Sequence, residues 1–322
     1  MEERARQVRQ ERQERAKRAR QARKAFEAMN LIDDFLMNEV IGHETYGKKV
    51  IDYFLQVVLG QKIEVHNVQV QKVMTGGDNE KRGIRLDIKT KISLGNVILA
   101  NGFAGAIHDE DHNASTSIEM HKDESNSNPY QKYDLRRRSR LSQGMIDTDM
   151  LETSSGFGDL DDVLIITCTP FDLFERNRYI YTFTNMCLED NSLLLEDGAY
   201  RIFLNTGGVI GGTGELRDLL RFTEKSSETN ATNESLKDIH NIIMRIKKSK
   251  KARKRHMCVW ERLERERDKG FDEGSAKERE KAEAEIAKLK EEHATELADK
   301  DAVLADKDAE IAMLKSKLAQ IN

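Results

Sequence analysis

The chain has 322 residues, 34% of them charged and 38% hydrophobic, with a formal net charge of −4 and only two prolines. It contains no run of 18 apolar residues and no hydrophobic leader segment, so neither a membrane span nor a secretory signal is expected. Three cysteines far apart in sequence, Cys168, Cys187 and Cys258, match neither a zinc site nor a disulfide framework and point to a reduced, cytoplasmic protein.

Seventeen of the nineteen aromatic residues lie between Phe26 and Phe222, which places one globular domain over residues 26–245. Ahead of it, residues 1–25 read as a basic, solvated helical arm. From Phe26 to Leu59 apolar side chains recur at helical spacing, interrupted at Gly42 and Gly47, so two helices ending at Gly60 are expected. Ile63–Val70 alternates as a strand, with a turn at Gly76–Asn79. Ile84–Ile92 alternates again, with Asp87 on its polar face. Residues 95–116 are rich in Gly, Asn, Asp and His and read as a loop, followed by a short strand, Ser117–His121. Helical spacing returns over Arg136–Leu151, and Val163–Cys168 is an apolar run suited to a central strand. Tyr179–Phe183 and Tyr200–Leu204 add two strands, and Gly207–Gly214 is a loop. This interleaving predicts an α/β domain with a mixed central sheet flanked by helices.

Beyond the domain, eight basic residues from Arg245 to Arg255 occur without one acid, so residues 246–274 read as a basic helical linker. Residues 275–322 read as a coiled-coil-like helix, with Leu297, Leu304, Ile311 and Leu318 seven apart. Lys300 and Lys307 stand where a second apolar column belongs, so only weak homo-oligomerisation is expected.

Asp87 and Glu119 each sit on a short strand between apolar neighbours. Were the two strands paired, both carboxylates would reach one divalent cation, and Mg²⁺ asks for one or two carboxylates, waters and phosphate oxygens. Period two puts His121 on the same strand face as Glu119, where a ring nitrogen can hold water or stabilise developing charge. The alternative is a set of solvated strand-face side chains. His108-Asp-Glu-Asp-His112 has metal-ligand spacing for a helix, but its glycine- and asparagine-rich surroundings read as an exposed acidic loop. The basic runs 4–24 and 245–255 are candidates for DNA backbone contact or plain solvated faces, with no aromatic interleaved for base stacking.

Between Leu31 and Met257 the chain resembles the PD-(D/E)XK nuclease family that includes recombination-promoting nucleases and transposases. The matching pieces are Ile32-Asp-Asp-Phe-Leu-Met37, Gly83-Ile-Arg-Leu-Asp-Ile88, Ile118-Glu-Met-His121, Arg138-Ser-Arg-Leu-Ser-Gln-Gly-Met-Ile-Asp147 and Leu164-Ile-Ile-Thr-Cys-Thr-Pro-Phe-Asp172. The resemblance implies a restriction-endonuclease-like core and Mg²⁺- or Mn²⁺-dependent hydrolysis of DNA. Asp87 and Glu119 would be the metal ligands and His121 would stand where the family has Gln or Lys. Arg138 and Arg140 fall at arginine positions suited to gripping DNA phosphate, with a solvated helix face shared with Arg136 and Arg137 as the alternative. Asp33 or Asp34 would be the matching helical acid, with Asp34 the accessory acid of choice. A catalytically inactive relative that binds DNA or protein is the competing expectation.

Overall fold

The computed structural model describes residues 2–74, 84–94, 98–99, 103–104, 112–122, 129–151 and 156–319. The expected turn at 76–79 and residues 108–111 of the acidic loop lie outside them. The chain divides into two compact units, residues 1–257 and 258–322.

The first unit opens with three helices, α1 (Glu2–Ala28), α2 (Asp34–Ile41) and α3 (Gly47–Leu59). Strands β1 (Ile63–Met74) and β2 (Ile84–Leu94), a two-residue pair β3 (Ile98–Leu99) and β4 (Phe103–Ala104), and β5 (His112–Met120) follow. Next come α4 (Pro129–Leu151), β6 (Asp162–Thr169), β7 (Ile180–Phe183), β8 (Ala199–Asn205), α5 (Gly214–Glu224), α6 (Glu234–Lys248) and α7 (Lys250–Ala319). Six strands form one mixed sheet in the order β1-β2-β5-β6-β8-β7. The β5–β6 and β6–β8 pairs are parallel and the other three antiparallel.

A strand with parallel neighbours and helices on both faces must be apolar throughout, and Val163–Cys168 is buried along its whole length. Leu164, Ile166 and Cys168 join the main core with α2, α3, α5 and α6, whereas Val163 and Ile165 pack with Ile146 of α4. Helix α4 therefore covers its own face of the sheet. The structure lengthens β5 beyond expectation: it starts at His112, and Ala114–Met120 are all buried. Ser115, Thr116 and Ser117 are small enough to lie in the interior, yet they leave no hydrophobic alternation to read. Gly47 breaks the helical run where expected, because a Cβ there would meet the Ile41 carbonyl oxygen at 1.8 Å.

The arm is more than a solvated helix. α1 runs on to Ala28, and Ala22 and Phe26, one turn apart, are buried. The His256 ring stacks on Phe26 at 5.1 Å and meets Phe35 edge-on at 5.1 Å. Burial pushes the His256 imidazole below its ordinary pKa, so it packs as a neutral ring. Half of the basic run is tied into this unit. Arg245 donates to the Tyr46 hydroxyl at 3.2 Å, Lys247 to the Glu27 carbonyl at 2.9 Å, Arg253 to the Lys247 carbonyl at 2.9 Å and Arg255 to Glu39 at 2.6 Å.

The second unit is helical through Gly270 and Gly274 to Ala319. Leu297 and Ile311 of the heptad column are exposed. Among the described residues no helix is long and apolar enough to cross a membrane.

A chain ending at Gly274 should unfold in urea at the midpoint of the full chain. One ending at Ser249 should lose about 2–4 kcal/mol, since Ala252, His256 and the Arg255–Glu39 pair go with it. Equal stability of all three chains would contradict this packing.

Candidate active site

The β2–β5 register pairs Ile88 with Ile118, and its continuation puts Asp87 level with Glu119. Glu119 is 1% exposed. Arg138 and Ser142, one turn apart on α4, both turn to its carboxylate: Arg138 Nε donates to Oε2 at 2.8 Å and Ser142 Oγ to Oε1 at 2.8 Å. His121 Nε2 lies 3.3 Å from Oε2. Burial pushes the Glu119 carboxyl upward, but the His121 hydrogen bond, the Arg138 charge and the Ser142 hydroxyl outweigh it and hold the group below its ordinary pKa.

Asp87 is buried as well, and its Oδ2 accepts from the Met120 backbone N–H at 3.4 Å. Here burial, with the charges of Asp34 and Glu119 added, prevails over His121 and Arg138 and raises the carboxyl to about 6. The strand is irregular at this point. Leu86 packs with Ile146 and Ile165 while Ile88 joins the main core, and Gln71, facing Asp87 across β1, has φ +54°. Asp34 opens α2 and accepts from Asn38 Nδ2, leaving Asn38 Oδ1 buried with no hydrogen-bond partner among the described residues. The neighbouring Asp33 is held by Lys122 Nζ at 2.9 and 3.1 Å.

The structure thus gathers Asp87, Glu119, His121 and Arg138, with Asp34 in electrostatic range of Asp87. His121 lies one residue past the end of β5, where its N–H still donates to the Cys168 carbonyl at 3.0 Å and its ring stands beside Glu119. Arg138, read in the sequence as a phosphate grip, is bound to Glu119. Arg140 points elsewhere and lines a separate cavity on α4. Ser142 and Asn38 were assigned no role from the sequence. For Ser142 the available signal was its helical spacing of four from Arg138.

Among the described residues no group of three or more His, Cys, Asp or Glu side chains is placed to hold a metal ion. Mg²⁺ and Mn²⁺ need fewer protein ligands, because waters and substrate phosphate complete the shell. Asp87 and Glu119 offer hard carboxylate oxygens, and Asn38 Oδ1 is a further unsatisfied oxygen beside Asp34. This chemistry fits an oxygen-seeking dication and does not fit a thiolate-ligated zinc. Comparison with protein-family models, with curated proteins and with solved structures finds no match to the chain.

Asp87 binds its proton more tightly folded than unfolded. Its contribution to stability is therefore present below the ordinary carboxyl pKa and is lost as the pH rises through about 6. Asp87→Asn should be more stable than the natural chain by up to about 3 kcal/mol at pH 7.5, with the gap closing near pH 4, by urea denaturation. A variant less stable at pH 7.5 would refute the crowded-carboxylate description.

Proposed function

We propose that the chain is a metal-dependent DNA endonuclease that hydrolyses phosphodiester bonds, of the PD-(D/E)XK kind its sequence resembles. One observation carries the reading. Asp87 and Glu119 lie level on neighbouring buried strands, with Asp34 near enough to help keep Asp87 protonated up to about pH 6. Carboxylates crowded in this way oppose folding unless a cation joins them, and such groups gather where a protein has chemical work to do. The mixed sheet with helices on both faces agrees with the resemblance. A link to recombination or transposition rests on the resemblance alone.

In this reading Asp87 and Glu119 hold Mg²⁺ or Mn²⁺. When bound, such an ion polarises a phosphodiester and lowers the pKa of its own water. The chain's residues prepare for that. Arg138, His121 and Ser142 keep Glu119 ionised and fix its orientation. The half-buried His121 ring can hold a water or take its proton. Arg138, partly exposed, can transfer one of its N–H groups from Glu119 to a phosphate oxygen.

A second reading has its own observation. Arg138, His121 and Ser142 already satisfy Glu119, as in a structural ion pair, which favours an inactive chain that binds DNA or protein through its basic segments and the 275–322 helix.

Supercoiled plasmid separates the two. The natural chain should nick it in Mg²⁺ or Mn²⁺ and not in chelator. Asp87→Asn and Glu119→Gln should each slow nicking by about a hundredfold or more, since several kcal/mol of charge stabilisation are removed. His121→Ala should slow turnover while the Mn²⁺ dependence stays in place. Nicking by the natural chain that is no faster than by Glu119→Gln, with either metal, leaves the inactive binder.

A further inference from the structure

Helix α4 carries arginines on more than one side. Arg138 turns to Glu119, whereas Arg137 and Arg140 line a separate cavity of about 380 Å³ with Arg201 of β8. That volume falls within the range of small-molecule sites, about 300–1,000 Å³. The cavity's apolar part is three rings, Phe174, Phe183 of β7 and Phe203 of β8, with centroids 4.8, 5.2 and 5.7 Å apart. No acidic side chain lines it among the described residues.

The rings are partly spoken for. The Arg136 guanidinium lies over Phe174, 4.4 Å from its centroid, so one ring already stacks with a cation. Phe183 is 40% exposed, so part of its ring is open to solvent. Arg140 is exposed and has no hydrogen-bond or ion-pair partner among the described residues. Arg201 donates from Nη2 to Gln143 Oε1 at 2.5 Å, while its Nε is buried and unpartnered.

An aromatic floor with an arginine rim, and no acid among the described residues, selects a flat ring joined to an anion. A paired base hides its face in the duplex, so the fitting partner is unpaired, and single strands are gripped by this combination of stacking platform and cations. We propose that this cavity takes one unpaired nucleotide of a DNA strand, its base against Phe183 and Phe203 and its phosphate on Arg140. The choice of DNA rests on the endonuclease reading of the acidic site. The ring-plus-anion chemistry stands on the cavity alone. The sequence conceals this site, because three of its arginines lie in one stretch of α4 while Arg201 and the rings come from β7, β8 and the segment after β6.

The test is fluorescence anisotropy of the full chain with labelled dT12 in chelator, so that hydrolysis cannot enter the readout. Phe183→Ala should weaken binding about tenfold, Phe183→Trp should preserve it, and an abasic strand should bind the natural chain as weakly as dT12 binds Phe183→Ala. Arg140→Ala should weaken binding and reduce the slope of log K against log salt by about 0.7. Unchanged binding in Phe183→Ala and Arg140→Ala overturns the proposal, as does no binding of dT12 by the natural chain. Displacement by a phosphotyrosine peptide as readily as by unlabelled dT12 also overturns it. Phe183-dependent binding by a chain that never nicks in metal sinks the endonuclease reading and leaves the cavity standing. Metal-dependent nicking with dT12 binding indifferent to Phe183 does the reverse.

Discussion

Glu119 is a charged side chain that is 1% exposed, and the acidic face of the sheet is organised around keeping it charged. An uncompensated buried carboxylate costs several kcal/mol. Here Arg138 and Ser142 come from one helix face and His121 from the end of the strand, and each holds an oxygen of the same group. This requirement also fixes how α4 lies. With Arg138 and Ser142 committed to Glu119, Ile146, one further turn along, falls against Leu86 and Ile165.

The partner carboxylate is treated in the opposite way. Burial, Asp34 and Glu119 together outweigh the same Arg138 and His121, and Asp87 is left protonating near pH 6. Two acids level on adjacent strands, one kept ionised and one poised near neutrality, form an asymmetric pair of the kind that separates roles in a reacting site. A purely structural ion pair would need only Glu119 and Arg138. Asp87 accepts from the Met120 N–H and Asp34 from Asn38 Nδ2, but the charges of Asp34 and Glu119 disfavour the ionisation of Asp87, and in the proposed reading a divalent cation would answer that crowding.

Much of the architecture was legible in the residue pattern, because burial and period coincide in it. Val163–Cys168 could be read as a central strand from its apolar run alone, and Ile84–Ile92 from its alternation. The start of β5 was not legible, since Ser115, Thr116 and Ser117 are buried without being apolar. Nor was the fate of the cations. Arg138 and Arg140 are two apart and look equivalent in sequence, but helical geometry sends one to Glu119 and the other to a cavity. In the same way Arg245, Lys247 and Arg255 read as part of a free basic run and are bound to partners about 200 residues away in the chain, while Arg253 is turned back on the Lys247 carbonyl. Charge pattern tells how many cations a segment holds, and only the fold tells which of them remain for a ligand.

The most direct test of the paired carboxylates is calorimetric titration of Mn²⁺ into the full chain at pH 5.5, repeated in buffers of different ionisation enthalpy. A cation seated between Asp87 and Glu119 must displace the proton that Asp87 retains below about pH 6. One Mn²⁺ per chain is expected, with somewhat less than one proton released at pH 5.5, little release at pH 7.5, and no binding by Glu119→Gln. Binding without proton release at pH 5.5, or binding undiminished in Glu119→Gln, would contradict a metal site built on these two residues.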